Sequence, residues 1–253
     1  MPYILIRWVP GQFISICIKL MPKISFILPV FKPDYLPEAV NSLLNQTLSD
    51  IEVVIVHDNP SWAISDNLTK DTRIKLIVNK ENKGIATSYN IAIDNATGEI
   101  ICPMNDDDIA LFQRAEFTYK IFSANPDYGV CYGASLVAGP NGIPQYFWNF
   151  GPFDPKRMMT QNVIPHCASG YKRSITEKIR YNPKYPVAND YGFFLECMKQ
   201  DVKIKNVGAP FFIHRIHGDN AGRGEANRFN DRQLLHEDYG IDETIKYDKV
   251  FIL

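Results

Sequence analysis

Between residues 24 and 104, short continuous apolar runs alternate with stretches whose apolar residues recur every three or four positions. This alternation constrains the fold more than any other feature of the chain. Ile24 to Phe31 is apolar up to a Pro-rich turn, as a strand covered on both faces would be. Leu36, Val40, Leu43, Leu44 and Leu48 follow at helical spacing and would lay one stripe on a sheet. Ile51 to Val56 and Ile74 to Val78 read as two more buried strands. Ile85, Tyr89, Ala92 and Ile93 make an amphipathic helix that Gly98 is placed to end, and Ile100 to Met104 is a fourth strand. Strand, helix and strand at this interval need crossover connections, which bring the strands parallel in one sheet with helices on its faces. The class is α/β.

After Asp108 the pattern becomes less regular. A helix is predicted from about Leu111 to Ser123, before Pro126. Gly129 to Val137 and Gln145 to Phe150 flank Gly139-Pro140-Asn141-Gly142 as a hairpin. Apolar segments at Val163 to Tyr171 and Phe211 to Ile216 surround a helix near Asp190 to Gln200. Gly218 to Asn227, rich in Gly and Asn, reads as a loop before a last helix. The expected organisation is a leader over 1–22 and one domain over 23–253, whose halves meet at 108/109.

Residues 3 to 20 are mostly apolar, but Arg7, Gln12 and Lys19 interrupt them and Pro10-Gly11 breaks them midway. A spanning helix needs about 20 apolar residues in a row. A signal peptide carries its charge ahead of the apolar stretch. Neither pattern fits. The leader reads as a start-site artefact, with Met21 as the true start, or a disordered leader, as an interfacial membrane segment, or as a local strand or helix. Lys+Arg total 27 against 28 Asp+Glu, and the basic residues are scattered, which argues against nucleic acid as a partner. The five cysteines are widely spaced with no CxxC pair, which points to a reducing compartment and away from structural zinc.

In open α/β sheets, ligands bind beyond the carboxyl ends of the strands. Asp58 lies just past Ile51 to Val56, and Asn105-Asp106-Asp107-Asp108 follows Ile100 to Met104. Three consecutive carboxylates behind a buried strand repel one another, and a divalent cation would relieve them. All-oxygen ligands favour Mg²⁺ or Mn²⁺. The other reading is an acidic turn capping the next helix. Spacing alone leaves both open.

Several segments in order resemble the family 2 glycosyltransferases. Ser25 to Phe31 is similar to the family's first strand, Ser42 to Thr47 to its first helix, and Ile55 to Asn59 to its acidic second-strand end. Asn82-Lys83-Gly84 with Ala86 and Asn90 resembles its Asn-x-Gly segment, and Met104 to Asp108 its DxD region. Asn189-Asp190 resembles its later acidic pair, and His214 to Gly218 its Arg-x-His segment. The resemblance implies a GT-A fold with a mostly parallel sheet, in which 23–108 is the nucleotide-binding half and 109–253 the smaller, acceptor-side half. It implies a metal-dependent, inverting transfer from a nucleotide-sugar, a UDP-sugar first, to a hydroxyl of a glycan or lipid-linked acceptor in surface polysaccharide synthesis.

The same resemblance assigns roles. Pro29, Val30, Phe31, Asp58, Asn82, Gly84 and Asp106 would line the nucleotide, with Asp58 on the base and Asp106 on the ribose. Asp107, with Asp106 and His217, would hold Mn²⁺ or Mg²⁺. Asp190 would be the general base. His166 falls in an acceptor-side segment, Lys83 and Arg215 are candidate phosphate contacts, and Asp108 supports the metal or caps a helix. The expected location is cytoplasmic, with peripheral contact at the inner membrane face. Two positions depart from the pattern: Asn105 stands for the first Asp of the DxD and Asn189 for a Glu. A decayed scaffold that binds sugar nucleotides or glycans without catalysis is the alternative. A nucleotidyltransferase fits less well, because the first strand ends in Pro29 to Asp34 without the Gly-rich triphosphate loop. The Gln-x-x-Arg-Trp signature of processive synthases is absent, which implies one sugar per encounter.

Overall fold

The computed structural model describes residues 8–9, 12–13, 21–32, 34–218, 220, 225–241 and 251–252. Most of the leader therefore lies outside the described residues, as does half of the Gly/Asn loop. What is described of the leader is a two-stranded ribbon, β1 (Trp8–Val9) with β2 (Gln12–Phe13).

The chain then runs through β3 (Ile24–Val30), α1 (Leu36–Leu44), β4 (Ile51–His57), β5 (Ile74–Val78), α2 (Ile85–Asn95), β6 (Ile100–Pro103) and β7 (Ile109–Ala110). It continues through α3 (Arg114–Ala124), β8 (Val130–Ala138), β9 (Pro144–Trp148), the short α4 (Pro155–Met158) and β10 (Ser169–Lys172). The last elements are α5 (Asn189–Lys199), β11 (Ile204–Arg215), α6 (Glu225–Tyr239) and β12 (Phe251–Ile252). Strands β6, β3, β4 and β5 lie side by side and parallel, as the crossovers require. Every residue of β3 is buried, because α1 covers one face and α2 the other. Alternation does the sorting. Phe26, Leu28 and Val30 join the cluster that contains Leu36, Val40 and Leu43 of α1, while Ile27 joins Tyr89, Ala92 and Ile93 of α2.

The second half changes hand. β10 pairs antiparallel with both β6 and β8, and so links the two halves of the sheet. β8 keeps β11 along one edge throughout, but its other edge is shared, β10 pairing at Val130–Tyr132 and β9 at Ser135–Ala138. The sheet therefore opens beyond the ends of β3 and β6, and residues from β9, α5 and the end of β11 face that opening.

Several expectations need correction. Gly98 does not end α2, which stops at Asn95. A Cβ on Gly98 would stand 2.7 Å from the Ser25 backbone nitrogen, so the glycine serves close approach to β3. Helix α3 begins three residues later than predicted, since Ile109–Ala110 pairs with β11 and Gln46 caps the helix from α1's end by accepting from Ala115 N at 2.8 Å. β11 reaches back to Ile204, through a Gly208–Pro210 region where the register against β8 shifts. Helix α6 begins at Glu225, inside the expected loop.

Candidate active site

The carboxyl ends of β3, β4 and β6 form one wall of a cavity of about 770 Å³. Pro29, Val30, Phe31, Asp58, Asn82, Gly84, Asp106, Asp107, Asp190 and His217, all singled out from sequence, line it together. His166 lines it as well.

Each acidic group has its own anchoring. Asp58 is 4% exposed, and its Oδ1 accepts from Asn79 Nδ2 at 2.7 Å and from the Lys83 amide at 2.9 Å. Asn82 Oδ1 accepts from Gly84 N at 2.8 Å, and Gly84, at φ +83°, turns the chain into α2. Asp106 Oδ2 accepts from the amides of Phe31 (2.9 Å) and Lys32 (3.2 Å), which joins the end of β6 to the loop after β3. Burial, then the charge of Asp107, pushes the Asp106 carboxyl up to about 7, against the pull of those amides.

Asp107 Oδ2 accepts from Asn220 Nδ2 at 2.9 Å and lies 3.0 Å from His217 Nε2. Its Oδ1 is buried with no hydrogen-bond partner among the described residues. Burial and the neighbouring Asp108 raise the Asp107 carboxyl, while the bond to His217 opposes the rise. Two adjacent carboxyls that resist ionisation and one orphaned buried oxygen make a place that favours positive charge. The carboxylate oxygens there suit Mn²⁺ or Mg²⁺. Among the described residues, no three His, Cys, Asp or Glu side chains gather in a metal-holding group, so any cation would need ligands from the diphosphate and water.

Asp108 is not a helix cap. It is fully buried, its Oδ1 accepts from the Arg215 amide at 3.0 Å and sits 3.0 Å from His214 Nδ1, and its Oδ2 accepts from Asn105 Nδ2 at 3.1 Å. Burial works to lower the His214 pKa, but the bond to Asp108 and its charge outweigh that and raise it. Asn105 is also explained. Its amide donates to Asp108 at 3.1 Å, which an ionised Asp could not do, while its oxygen lies 3.0 Å from Tyr89 Oη, whose hydroxyl is as close to Met104 O. Nor does Arg215 line the cavity. It is 2% exposed, and its guanidinium binds Asp107 O at 2.9 Å, Pro140 O at 2.6 Å and the Glu38 carboxylate, over the Tyr35 ring at 4.3 Å. Tyr35 in turn faces His217, with ring centroids 5.0 Å apart. Arg215 fixes the backbone of the acidic segment. Lys83 is exposed and contributes its amide to Asp58.

The opposite wall comes from the second half. Asp190, half-buried in the first turn of α5, accepts from Tyr191 N at 2.8 Å and from Asn162 Nδ2 at 2.9 Å. Burial pushes its carboxyl up to about 6 despite these donors. His166 Nε2 lies 2.8 Å from Tyr181 Oη, which lies 3.0 Å from Tyr171 Oη. Burial, then the charge of Arg114, pushes His166 down to about 3, so it is neutral. Sequence reasoning missed Tyr146 and Trp148, which line the cavity from β9, and Asn220 on Asp107. The two-residue spacing of Tyr146 and Trp148 on a hairpin strand was the available signal for one shared face.

The model of glycosyl transferase family 2 matches residues 25–180. The chain belongs to that family. It is 30% identical over 207 residues to an uncharacterized glycosyltransferase of Methanocaldococcus jannaschii, covering 77% of this chain and 71% of that one. It is 29% identical over 207 residues to the GalNAc(5)-diNAcBac-PP-undecaprenol beta-1,3-glucosyltransferase of Campylobacter jejuni, covering 78% of this chain and 65% of that protein. Among solved structures, S. aureus TarS 1-349 in complex with UDP superposes with a TM-score of 0.64 at 16% identity, over 88% of this chain and 73% of that one. The GT-A glycosyltransferase fold expected from sequence is the fold of this chain, and the chain is a transferase of nucleotide-sugars.

Proposed function

We propose that this glycosyltransferase moves a single sugar from a UDP-sugar, with inversion and with a divalent cation, onto a hydroxyl of a lipid-linked glycan. The observation that carries the reading is the facing of two walls across one cavity, with Asp58, Asp106 and Asp107 on one side and Asp190 on the other.

The donor wall reads from base to diphosphate. Asp58 uses Oδ1 for its protein contacts, and its second oxygen would accept the N–H of uracil. Asp106, tied to the loop of Phe31 and Lys32, would hold the ribose. Asp107 and His217, with Asp106 beside them, would hold Mn²⁺ or Mg²⁺, whose chemistry there is to neutralise the departing diphosphate. On the acceptor wall, Asp190 would receive the proton of the attacking hydroxyl. The new bond forms from that oxygen to the anomeric carbon, the bond to the phosphate oxygen breaks, and UDP leaves with the electron pair. A carboxyl poised near 6 is ionised at neutral pH yet more basic than an exposed one, as a general base requires. The lipid-linked acceptor is supported by the printed activity of the Campylobacter relative. No helix among the described residues is long and apolar enough to cross a membrane, so such an acceptor would be met at the membrane face. The retained Asp107 and Asp190 favour catalysis over a decayed binding scaffold.

Titration calorimetry of UDP, with GDP as control, in Mn²⁺ and then in chelator tests the donor site. UDP binding that needs both Mn²⁺ and Asp107 is expected. A folded protein that binds neither nucleotide would overturn the reading.

A further inference from the structure

Asp190 has a support that neither the family match nor the proposed chemistry includes. Helix α5 begins at Asn189, and its N-cap residue, Ala188, has no side chain with which to cap it. The chain entering the helix is held instead from α6. Asp231, 1% exposed, accepts through Oδ2 from the amides of both Val187 and Ala188, each at 2.6 Å. One carboxylate oxygen thus satisfies two backbone donors at the positive end of α5, and its charge suits that end.

The same face of α6 makes two further contacts at four- and seven-residue spacing. Leu235 is fully buried and packs toward Gly192, where a Cβ would lie 3.7 Å from it and only 2.7 Å from the Tyr185 ring. Asp238 accepts from Lys184 Nζ at 2.7 Å and from the Tyr185 hydroxyl. Helix α6 therefore grips the chain from 184 to 192, and within that span Pro186, Val187, Asn189 and Asp190 line the cavity. Residues 181–253, which carry both partners of this clamp, lie outside the segment that the family model matches.

We infer that Asp231 is a positioning residue for the transfer reaction, which sets the place of Asp190 by holding the Val187 and Ala188 amides. This rests on the proposed role of Asp190 as base. Asp231 touches neither donor nor acceptor. Its loss frees two half-buried N–H groups and lets the first turn of α5 shift, while the contact from Asn162 to Asp190 remains. A misplacement of about 1 Å in a reacting group costs on the order of 10²-fold in rate.

The test measures UDP release from UDP-GlcNAc with water as acceptor, together with UDP affinity by calorimetry, in wild type, Asp231→Ala and Asp231→Asn. Asp231→Ala is expected to lower kcat about 10²-fold, with KM and UDP affinity within about twofold of wild type. Asp231→Asn keeps an acceptor oxygen and is expected to recover about tenfold of that loss. Wild-type kcat in both variants would overturn the inference, as would a kcat loss matched by an equal loss of UDP affinity. Should Asp231→Ala not fold, the drop in Asp231→Asn at unchanged KM decides alone. Should wild type bind no UDP and release none, the proposed function fails first. Hydrogen exchange of amides 187–192 then reads the clamp: faster exchange confined to them in Asp231→Asn supports it, and unchanged exchange overturns it.

Discussion

The two walls of the cavity are built by different means. On the donor wall, Asp58 and Asp106 stand just past parallel strands and are held by amides of the loops at neighbouring strand ends, Lys83 for one and Phe31 with Lys32, from the end of β3, for the other. On the acceptor wall, Asp190 opens a helix whose start is held by Asp231, more than 40 residues further along the chain. Strand ends fix the first wall, so it is rigid wherever the sheet is. The second depends on tertiary contacts among loops and helices, so its geometry can fail while the sheet stays intact. Damage to the donor wall should therefore appear as lost affinity, and damage to the acceptor wall as lost turnover.

The largest effect is expected at the base. Asp190→Asn should lower UDP release from a UDP-sugar by about 10²–10⁴-fold and leave UDP affinity unchanged. An equal loss of affinity would break the comparison. The same variant has a stability signature. The folded pKa of Asp190 lies above its unfolded value, so the stability it contributes is present at low pH and lost as pH rises through about 6. Asp190→Asn should thus raise Tm at pH 8, and the gain should shrink as pH falls below 6.

Next in size, Asp107→Ala should weaken UDP binding in Mn²⁺ by about 10²-fold and abolish the difference between Mn²⁺ and chelator. A variant that keeps that difference would move the cation elsewhere. A smaller effect follows from pH. Turnover should fall roughly tenfold per pH unit below about 6 as Asp190 takes up its proton, and level off above. A profile unchanged in Asp190→Asn would separate that limb from the base. The smallest effect is expected from Gly98→Ala, far from both walls. Its Cβ would press on the Ser25 backbone and cost about 1–3 kcal/mol of stability in denaturant unfolding. Activity at permissive temperature should be unchanged.

The ten residues singled out from sequence as nucleotide, metal or base contacts line one cavity because most of them sit at strand ends. A sheet gathers its carboxyl ends whatever the side chains are. Asp190, in the first turn of α5, is the exception and the acidic-pair resemblance carried it, while His217 lies two residues past β11 and was carried by the Arg-x-His resemblance. What the sequence left open depends on distant partners. Asp108 looks like a turn residue until Arg215 and His214 are seen to hold it. Arg215 looks like a phosphate contact until Asp107, Pro140 and Glu38 take up its donors. Asn105 looks like a lost ligand until its amide is seen to donate to Asp108, which an ionised Asp could not do.

By itself the sequence determined the parallel half of the sheet, its order of strands and helices, and the carboxylates at its edge, because hydrophobic period and strand ends are local facts. Only the tertiary structure decided which of those carboxylates face the cavity, that β8 divides its edge between β10 and β9, and that α6 holds the chain entering α5. These depend on groups many residues apart meeting at hydrogen-bond distance, and no period in the sequence encodes such a meeting.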